Sequence, residues 1–147
     1  MCGDTYPIIS GIQFPGLITG LTNLSSRKVI SQIKKLQERN PSLFQFILKI
    51  VPIDFTCETD IKTIETVIQE HHKDFLNKED SFRIILKRRH HEKIDRNHFI
   101  ETIARDIDNI VNLEKPDKII RIEILGNITG ISFLKESEVI KMKKEHN

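Results

Sequence analysis

The sequence predicts an α/β protein of the α+β type with two small subdomains. Segments in which apolar residues alternate singly, as in strands, are interleaved with segments in which they recur at helical spacing. The order of these segments is strand–helix–strand and then helix–strand–helix–hairpin. Hydrophobic residues make up 38% of the 147 residues and charged residues 30%, a composition that supports a globular fold and argues against disorder. We expect the subdomains to be residues 1–52 and 53–147.

The first subdomain is predicted as a strand, a helix and a second strand. Residues from Leu17 to Thr22 are typical of a short strand, and a polar residue within Asn23–Ser26 could cap the helix that follows. Asn40-Pro41 should end this helix, and Leu43 to Val51 is predicted as the second strand. The same order opens a ferredoxin-like unit, in which the helix covers one face of the sheet.

The second subdomain begins with a helix and continues with a strand and another helix. Thr59-Asp60 can begin the first helix, which should run to His71-His72, and the polar stretch from Lys73 to Asp80 is predicted as a loop. Phe82 to Lys87 alternates as a strand does, and Asp95 stands where a helix N-cap is expected. The second helix should bury the stripe Phe99, Ile100, Ile103, Ala104, Ile107, Ile110 and Val111.

A hairpin is predicted near the end of the chain. Gly126-Asn127 separates two alternating segments by two residues, and glycine at the first central position suits a type II′ turn. The residues from Lys135 onward are predicted to be a short helix or a fraying tail.

A basic run between the predicted strand and the second helix is the strongest functional signal. It comprises Lys87-Arg88-Arg89-His90-His91, and a second cluster, Arg96-Asn97-His98, lies in the first turn of that helix. Cations beside the free N–H groups of a helix N-terminus suit a phosphate backbone. A solvated charged surface is the alternative interpretation. The net charge of only +2 means that affinity for RNA would depend on where the charges lie.

The residues predict no catalytic, metal or cofactor site. Adjacent histidines point apart and have no zinc-ligand spacing, and Cys57 has no histidine at a suggestive spacing. Neighbouring carboxylates such as Asp106 and Asp108 are better explained as caps and surface charge, and the chain has no phosphate-binding Gly-rich loop. The two cysteines form no disulfide framework, and the chain has no long apolar span or secretory signal. We therefore expect a cytoplasmic protein that does not contact a membrane.

The chain resembles a THUMP domain with an N-terminal ferredoxin-like partner. The resemblance covers about Leu43 to Leu134 and rests on short motifs in a fixed order. These are Ile50-Val51-Pro52-Ile53 through Thr56-Cys57, Phe82 to Arg89, Asp95-Arg96, Lys115-Pro116-Asp117, Ile122-Glu123-Ile124 and Gly130-Ile131-Ser132. The N-terminal third matches only by its strand–helix–strand order.

The resemblance implies a tRNA-binding module of the stand-alone type, because the chain ends just after the module. The chain thus resembles the stand-alone members of the family, which act as adaptors. Such an adaptor presents tRNA to a separate tRNA cytidine N4-acetyltransferase. The chain itself would then be non-catalytic, with tRNA and the acetyltransferase as partners and no DNA partner. The rival interpretations are the RNA-binding part of an enzyme for tRNA thiolation, methylation or deamination, and a protein-interaction module.

The residues expected to bind RNA combine the basic run with neighbouring polar groups. The resemblance assigns Lys87, Arg88, Arg89 and Arg96 to the tRNA backbone, near the acceptor end. The whole predicted set is Arg83, Lys87, Arg88, Arg89, His90, Arg96, Asn97 and Lys118.

Overall fold

The computed structural model describes residues 8–11, 14–89 and 94–142. These residues form two compact units, one from Met1–Pro52 with Val139–Asn147 and the other from Ile53–Glu138. The helices and strands, in chain order, are β1 (Ile8–Gly11), β2 (Ile18–Leu21), α1 (Ser26–Arg39), β3 (Lys49–Ile50), β4 (Phe55–Glu58), α2 (Ile61–Phe75), β5 (Phe82–Arg89), α3 (Arg96–Ala104), β6 (Lys118–Leu125), β7 (Ile128–Leu134) and β8 (Ile140–Lys141).

The first unit contains α1 and two small antiparallel sheets. One sheet pairs β1 with β2, and the other pairs β3 with β8. Ser25 caps α1, since its side-chain oxygen accepts a hydrogen bond from the backbone N–H of Lys28, and the helix ends at Asn40 as predicted. Gly16 has φ 77°, a left-handed conformation that glycine adopts readily, in the turn that leads into β2.

The prediction of a strand from Leu43 to Val51 was largely wrong. Pro41–Phe44 is a 3₁₀ turn, and β3 is confined to Lys49–Ile50. The ring of Pro41 fixes its φ at a value that suits a helical turn. The N–H of Leu43 donates to the carbonyl of Asn40, which closes the turn. The C-terminal segment was predicted as a short helix or a fraying tail. Glu136–Glu138 does form a short 3₁₀ helix, but Ile140–Lys141 is the strand β8, which pairs with β3. The ferredoxin-like arrangement and the division into residues 1–52 and 53–147 stay predictions.

The second unit is a four-stranded sheet covered by α2 and α3. The strand order is β4-β7-β6-β5, with β5 and β6 parallel and the other pairs antiparallel. The α+β class predicted for the chain is confirmed. The core lies between the sheet and the helices, and it consists chiefly of aliphatic residues and phenylalanine, among them Ile64, Ile68, Phe82, Leu86, Phe99, Ile103, Ile120, Ile122, Ile124, Ile131 and Phe133.

The predicted alternation of β5 is confirmed by burial. Phe82, Ile84 and Leu86 are buried, whereas Arg83 is half-buried and Lys87 is exposed. Each buried aliphatic or aromatic side chain contributes roughly 1.5–3 kcal/mol from the removal of apolar area from water. The strand is therefore held by one face, which leaves the other face free to carry charge.

In the second unit, the sequence-based prediction missed one strand and misplaced two helix ends. Phe55–Glu58 forms β4, an edge strand too short to show a clear alternation. The helix α2 runs to Phe75, three residues into the predicted loop. The helix α3 ends at Ala104, and Ile110 and Val111 are 74% and 55% exposed rather than buried.

The segment after α3 has another structural role. The N–H of Phe82 donates to the carbonyl of Ile110, and the N–H of Asn112 donates to the carbonyl of Phe82, both at 2.9 Å. The residues around Val111 therefore lie beside β5 as a short parallel bridge. These backbone bonds explain why the helix does not continue, although the apolar periodicity does.

The predicted hairpin is confirmed. The strands β6 and β7 pair in antiparallel register from Ile119↔Leu134 to Leu125↔Ile128, so that Gly126 and Asn127 form a two-residue turn. Gly126 has φ 62°, a positive value that two-residue hairpin turns require at this position.

Candidate nucleic-acid interface

The exposed cations of the candidate site lie at the end of β5. Side chains of successive strand residues point to opposite faces, so Lys87 and Arg89 lie on the face opposite the buried Leu86. Both side chains are exposed, and within residues 8–11, 14–89 and 94–142 neither has a hydrogen-bond or ion-pair partner. The structure thus presents two cations two residues apart on a strand whose other face is packed.

A buried ion pair lies beside these cations. In the parallel register, Lys87 is opposite Glu123 on β6. The Oε1 atom of Glu123 lies 2.6 Å from Nε of Arg121, and the side chains of the pair are 18% and 7% exposed. Because Arg121 neutralises Glu123, this carboxylate does not cancel the charge of Lys87.

Arg88 and Arg96 are engaged with the backbone. The half-buried side chain of Arg88 donates to the carbonyl of Ile94, and Nη1 of Arg96 donates to the carbonyl of Leu86 at 2.7 Å. A guanidinium has five N–H donors, so each arginine keeps most of its hydrogen-bonding capacity. The two bonds hold the start of α3 against β5, with one donor from the strand and one from the helix.

The N-terminus of α3 is not open to a phosphate, contrary to the prediction. The carboxylate of Asp95 accepts hydrogen bonds from the N–H groups of Asn97 and His98, at 3.1 and 3.4 Å. Aspartate at this position stabilises a helix through the bonds and through its charge near the positive end of the dipole. The side chains of Asn97 and His98 are exposed, but their backbone donors are already used.

Two predicted residues lie at the opposite end of the sheet. Nζ of Lys118 donates to the carbonyl of Phe75 at 3.0 Å, and Nη1 of Arg83 donates to the carbonyl of Leu113 at 3.1 Å. Lys118 is in register with the first residue of β5 and lies about 23 Å along the strands from Arg89. The structure therefore does not bring Lys118 into the cluster at the end of β5.

The remaining predicted residue, His90, lies outside the described residues. RNA contact by any of the eight residues stays a prediction.

A groove that sequence reasoning missed lies between the starts of α2 and α3. It has a volume of about 420 Å³ and an apolar floor that includes Ile61, Ile64 and Phe99. Its rim carries both helix-capping carboxylates, Asp60 and Asp95. The two N-cap positions could be found in the sequence, but their proximity depends on the packing of the helices.

The titratable groups near this groove are held in structural roles. Hydrogen bonds from the N–H and hydroxyl of Thr63 lower the pKa of Asp60. Burial raises the pKa of the Cys57 thiol, and Asp60 and Glu58 raise it further. A thiol with a raised pKa is mostly protonated at neutral pH, which makes it a poor nucleophile. Among the described residues, no group of three His, Cys, Asp or Glu side chains is placed to hold a metal ion.

The second unit contains the region that matches a known protein family. The family model described as THUMP domain matches residues 58–134. The chain belongs to the THUMP domain family, as the sequence motifs suggested. Membership of this family suggests RNA binding in tRNA modification.

Individual relatives show the same likeness. The THUMP domain-containing protein 1 homolog of Drosophila melanogaster is 29% identical over 99 residues, which are 63% of this chain and 31% of that protein. The chain thus spans about a third of the length of that relative. The solution structure of the THUMP domain of THUMP domain-containing protein 1 matches 52% of this chain and 85% of its own, with a TM-score of 0.46 and 18% identity. A 4-thiouridine synthetase in complex with RNA and ATP matches 59% of this chain and 24% of its own, with a TM-score of 0.47 and 12% identity.

Within the described residues, no helix combines the length and the apolar character needed to cross a bilayer.

Proposed function

We propose that this chain is a non-catalytic tRNA-binding adaptor, which presents tRNA to a separate modifying enzyme in the cytoplasm. The enzyme would be a tRNA cytidine N4-acetyltransferase, as the resemblance to stand-alone THUMP proteins implies. The observation that carries the RNA-binding part is a pair of exposed cations, Lys87 and Arg89, at the end of a packed strand, neither of which has a partner among the described residues.

The placement of these cations suits recognition of an RNA backbone. Residues two apart on a strand lie about 7 Å from one another along it, and their side chains share one face. Double-stranded RNA hides its base edges in a deep major groove, so proteins recognise it chiefly by shape and by contacts to phosphates and 2′-hydroxyls. Because the backbone of the strand is already ordered, only the two side chains lose conformational entropy when they bind phosphates.

Arg88 and Arg96 lie next to these cations, where β5 meets the start of α3. Their guanidinium groups donate to the backbone carbonyls of Ile94 and Leu86. The acceptor end of tRNA is the expected docking position, as the resemblance to the family implies.

Binding at the acceptor end can be tested with a truncated tRNA. The affinity of the chain for intact tRNA is compared with its affinity for the same tRNA without the 3′ end, by gel shift at several salt concentrations. We expect tighter binding of intact tRNA and a decline of affinity with salt for both. Equal affinities would contradict the acceptor-end assignment, and no shift of either RNA at low salt would contradict tRNA binding.

The adaptor role requires a separate test. Cytidine acetylation of tRNA by a purified tRNA cytidine acetyltransferase is measured by nucleoside mass spectrometry, with and without this chain. We expect the chain alone to produce no modified nucleoside and to increase acetylation by the enzyme. Modification by the chain alone would favour the enzyme interpretation, and capture of a protein without any tRNA binding would favour a protein-interaction module.

A further inference from the structure

We propose that Arg88 and Arg96 are positioning residues of the RNA-binding surface, whereas Lys87 and Arg89 contact the phosphates. This division of roles rests on the proposed function and assigns different tasks to four cations that look equivalent in the sequence. Arg88 and Arg96 would fix the start of α3 against the end of β5, so that the exposed cations meet the RNA in a constant geometry.

The hydrogen bonds of the two arginines are reciprocal. Arg88 belongs to β5, and its side chain donates to the carbonyl of Ile94, just before α3. Arg96 is the first residue of α3, and its side chain donates to the carbonyl of Leu86 in β5. Each segment therefore supplies one donor and one acceptor to the other. A shift of α3 along the strand would break one or both bonds.

The carbonyl of Leu86 lies on the free edge of the sheet. In β5 the backbone groups of Phe82 bond to Ile110 and Asn112, away from β6. Backbone groups of a strand in a sheet alternate in direction, so those of Leu86, four residues later, point to the same side. Arg96 thus satisfies a carbonyl at an edge where none of the described strands pairs with β5, and this contact brings its guanidinium alongside the backbone of Lys87.

The four cations differ in what their side chains already contact. Within the described residues, the side chains of Lys87 and Arg89 are unengaged, while those of Arg88 and Arg96 bind carbonyl oxygens. A cation that neutralises a phosphate releases counterions, so its loss lowers the slope of log affinity against log salt. Loss of a positioning residue should weaken binding without a comparable change in this slope.

The experiment measures tRNA affinity over a range of salt concentrations for Arg88→Met, Arg96→Met, Lys87→Met and Arg89→Met. Arg105→Met is the matched control, because Arg105 is an exposed arginine at the other end of α3. Amide hydrogen exchange of each variant is recorded in parallel. Affinities are compared at a temperature at which every variant is folded, so a role in global stability alone would leave them unchanged.

For Lys87→Met and Arg89→Met, we expect the salt slope to fall by about 0.7–0.9 each, with amide exchange as in the unmodified protein. For Arg88→Met and Arg96→Met, we expect about fivefold weaker binding, the effect of losing one hydrogen bond. Their slope should stay near that of the unmodified protein, and exchange should accelerate at the amides of the first turn of α3. Arg96→Lys, which keeps a donor and the charge, should recover part of the affinity. Arg105→Met should change neither quantity.

A loss of slope in Arg88→Met and Arg96→Met equal to that in Lys87→Met, with unchanged exchange, would show that they are phosphate contacts and overturn the proposal. So would unchanged affinity and exchange in both. If Arg88→Met does not fold, Arg96→Met alone tests the proposal. Arg96 is exposed, so its replacement should not prevent folding. Failure of the unmodified protein to bind tRNA at low salt would instead contradict the proposed function itself.

Discussion

Arg121 and Glu123 form an ion pair within one strand, with Nε of Arg121 2.6 Å from Oε1 of Glu123 and side chains 7% and 18% exposed. Both residues lie on the face of β6 that carries Lys87 in the neighbouring strand. The pair keeps an otherwise unfavourable buried charge neutral next to the candidate RNA surface.

The first prediction concerns this pair. Glu123→Gln should lower the free energy of unfolding by about 3 kcal/mol, because Arg121 would be left as a buried, unpaired charge. Urea denaturation followed by circular dichroism measures the change. The double variant Arg121→Met with Glu123→Gln is the control and should recover most of the loss. A single variant as stable as the unmodified protein would show that solvent or another group compensates Arg121.

The second prediction concerns the exposed cations together. Lys87→Ala with Arg89→Ala should lower the slope of log affinity against log salt by about 1.4–1.8, since two phosphates would no longer be neutralised. Fluorescence anisotropy with labelled tRNA over a salt series provides the measurement.

The matched control for the second prediction is Lys73→Ala with Lys78→Ala, which removes two exposed lysines elsewhere in the second unit. This variant should keep the slope of the unmodified protein. Equal slopes for the two double variants would mean that the end of β5 is not the contact surface.

The third prediction separates the two effects of Asp95. Asp95→Asn keeps a good N-cap but removes a negative charge beside the RNA surface, so only the dipole contribution of about 0.3–1 kcal/mol should be lost and tRNA binding at low salt should tighten. Asp95→Ala removes the cap as well and should cost about 1 kcal/mol of stability. Thermal unfolding and a binding titration are measured on both variants. Weaker binding by Asp95→Asn would indicate that the carboxylate supports RNA binding.

The fourth prediction concerns acid stability. Hydrogen bonds from the N–H and hydroxyl of Ser81 lower the pKa of Asp117. A carboxyl whose pKa is lowered in the folded state stabilises the fold above its unfolded pKa of about 3.9, and this contribution disappears as the pH falls through the folded pKa. Between about pH 4 and that lower value, the unmodified protein should lose stability more steeply than Asp117→Asn.

Urea unfolding at a series of pH values tests the fourth prediction. Asp108→Asn, which also replaces an exposed carboxyl in the second unit, shows the effect of losing one charge without this hydrogen-bonded partner. Parallel pH profiles for the unmodified protein and Asp117→Asn would refute the assigned role of the Ser81–Asp117 contact.

The sequence predicted those parts of the fold that depend on local periodicity. The alternation at Phe82, Ile84 and Leu86, the cap at Asp95 and the turn at Gly126-Asn127 are local features, and each is confirmed. The errors arise where tertiary contacts decide. The short strand β4 exists through its pairing with β7.

The apolar residues Ile110 and Val111 follow helical spacing, but the chain there pairs with Phe82 instead. Tertiary contacts also decide the structure between Leu43 and Val51. This apolar segment, which follows Pro41, forms a turn and then a strand of only two residues. Short apolar segments do not distinguish a strand from a turn or a helix by periodicity alone.

The candidate site was predictable in its composition but not in its division of roles. The basic residues from Lys87 to Arg96 could be recognised as a cluster, whereas the carbonyl partners of Arg88 and Arg96 depend on the approach of α3 to β5. One error was avoidable. A residue that caps a helix, as Asp95 was expected to do, also occupies the N–H groups that had been assigned to phosphate.

The outer edge of β5 has a consequence for how other proteins can bind. Ile110 and Asn112 occupy the backbone groups of Phe82, and Arg96 occupies the carbonyl of Leu86. A strand from another protein that tried to extend the sheet along this edge would meet interruptions at both ends. Assembly with another protein by sheet extension at β5 is therefore disfavoured.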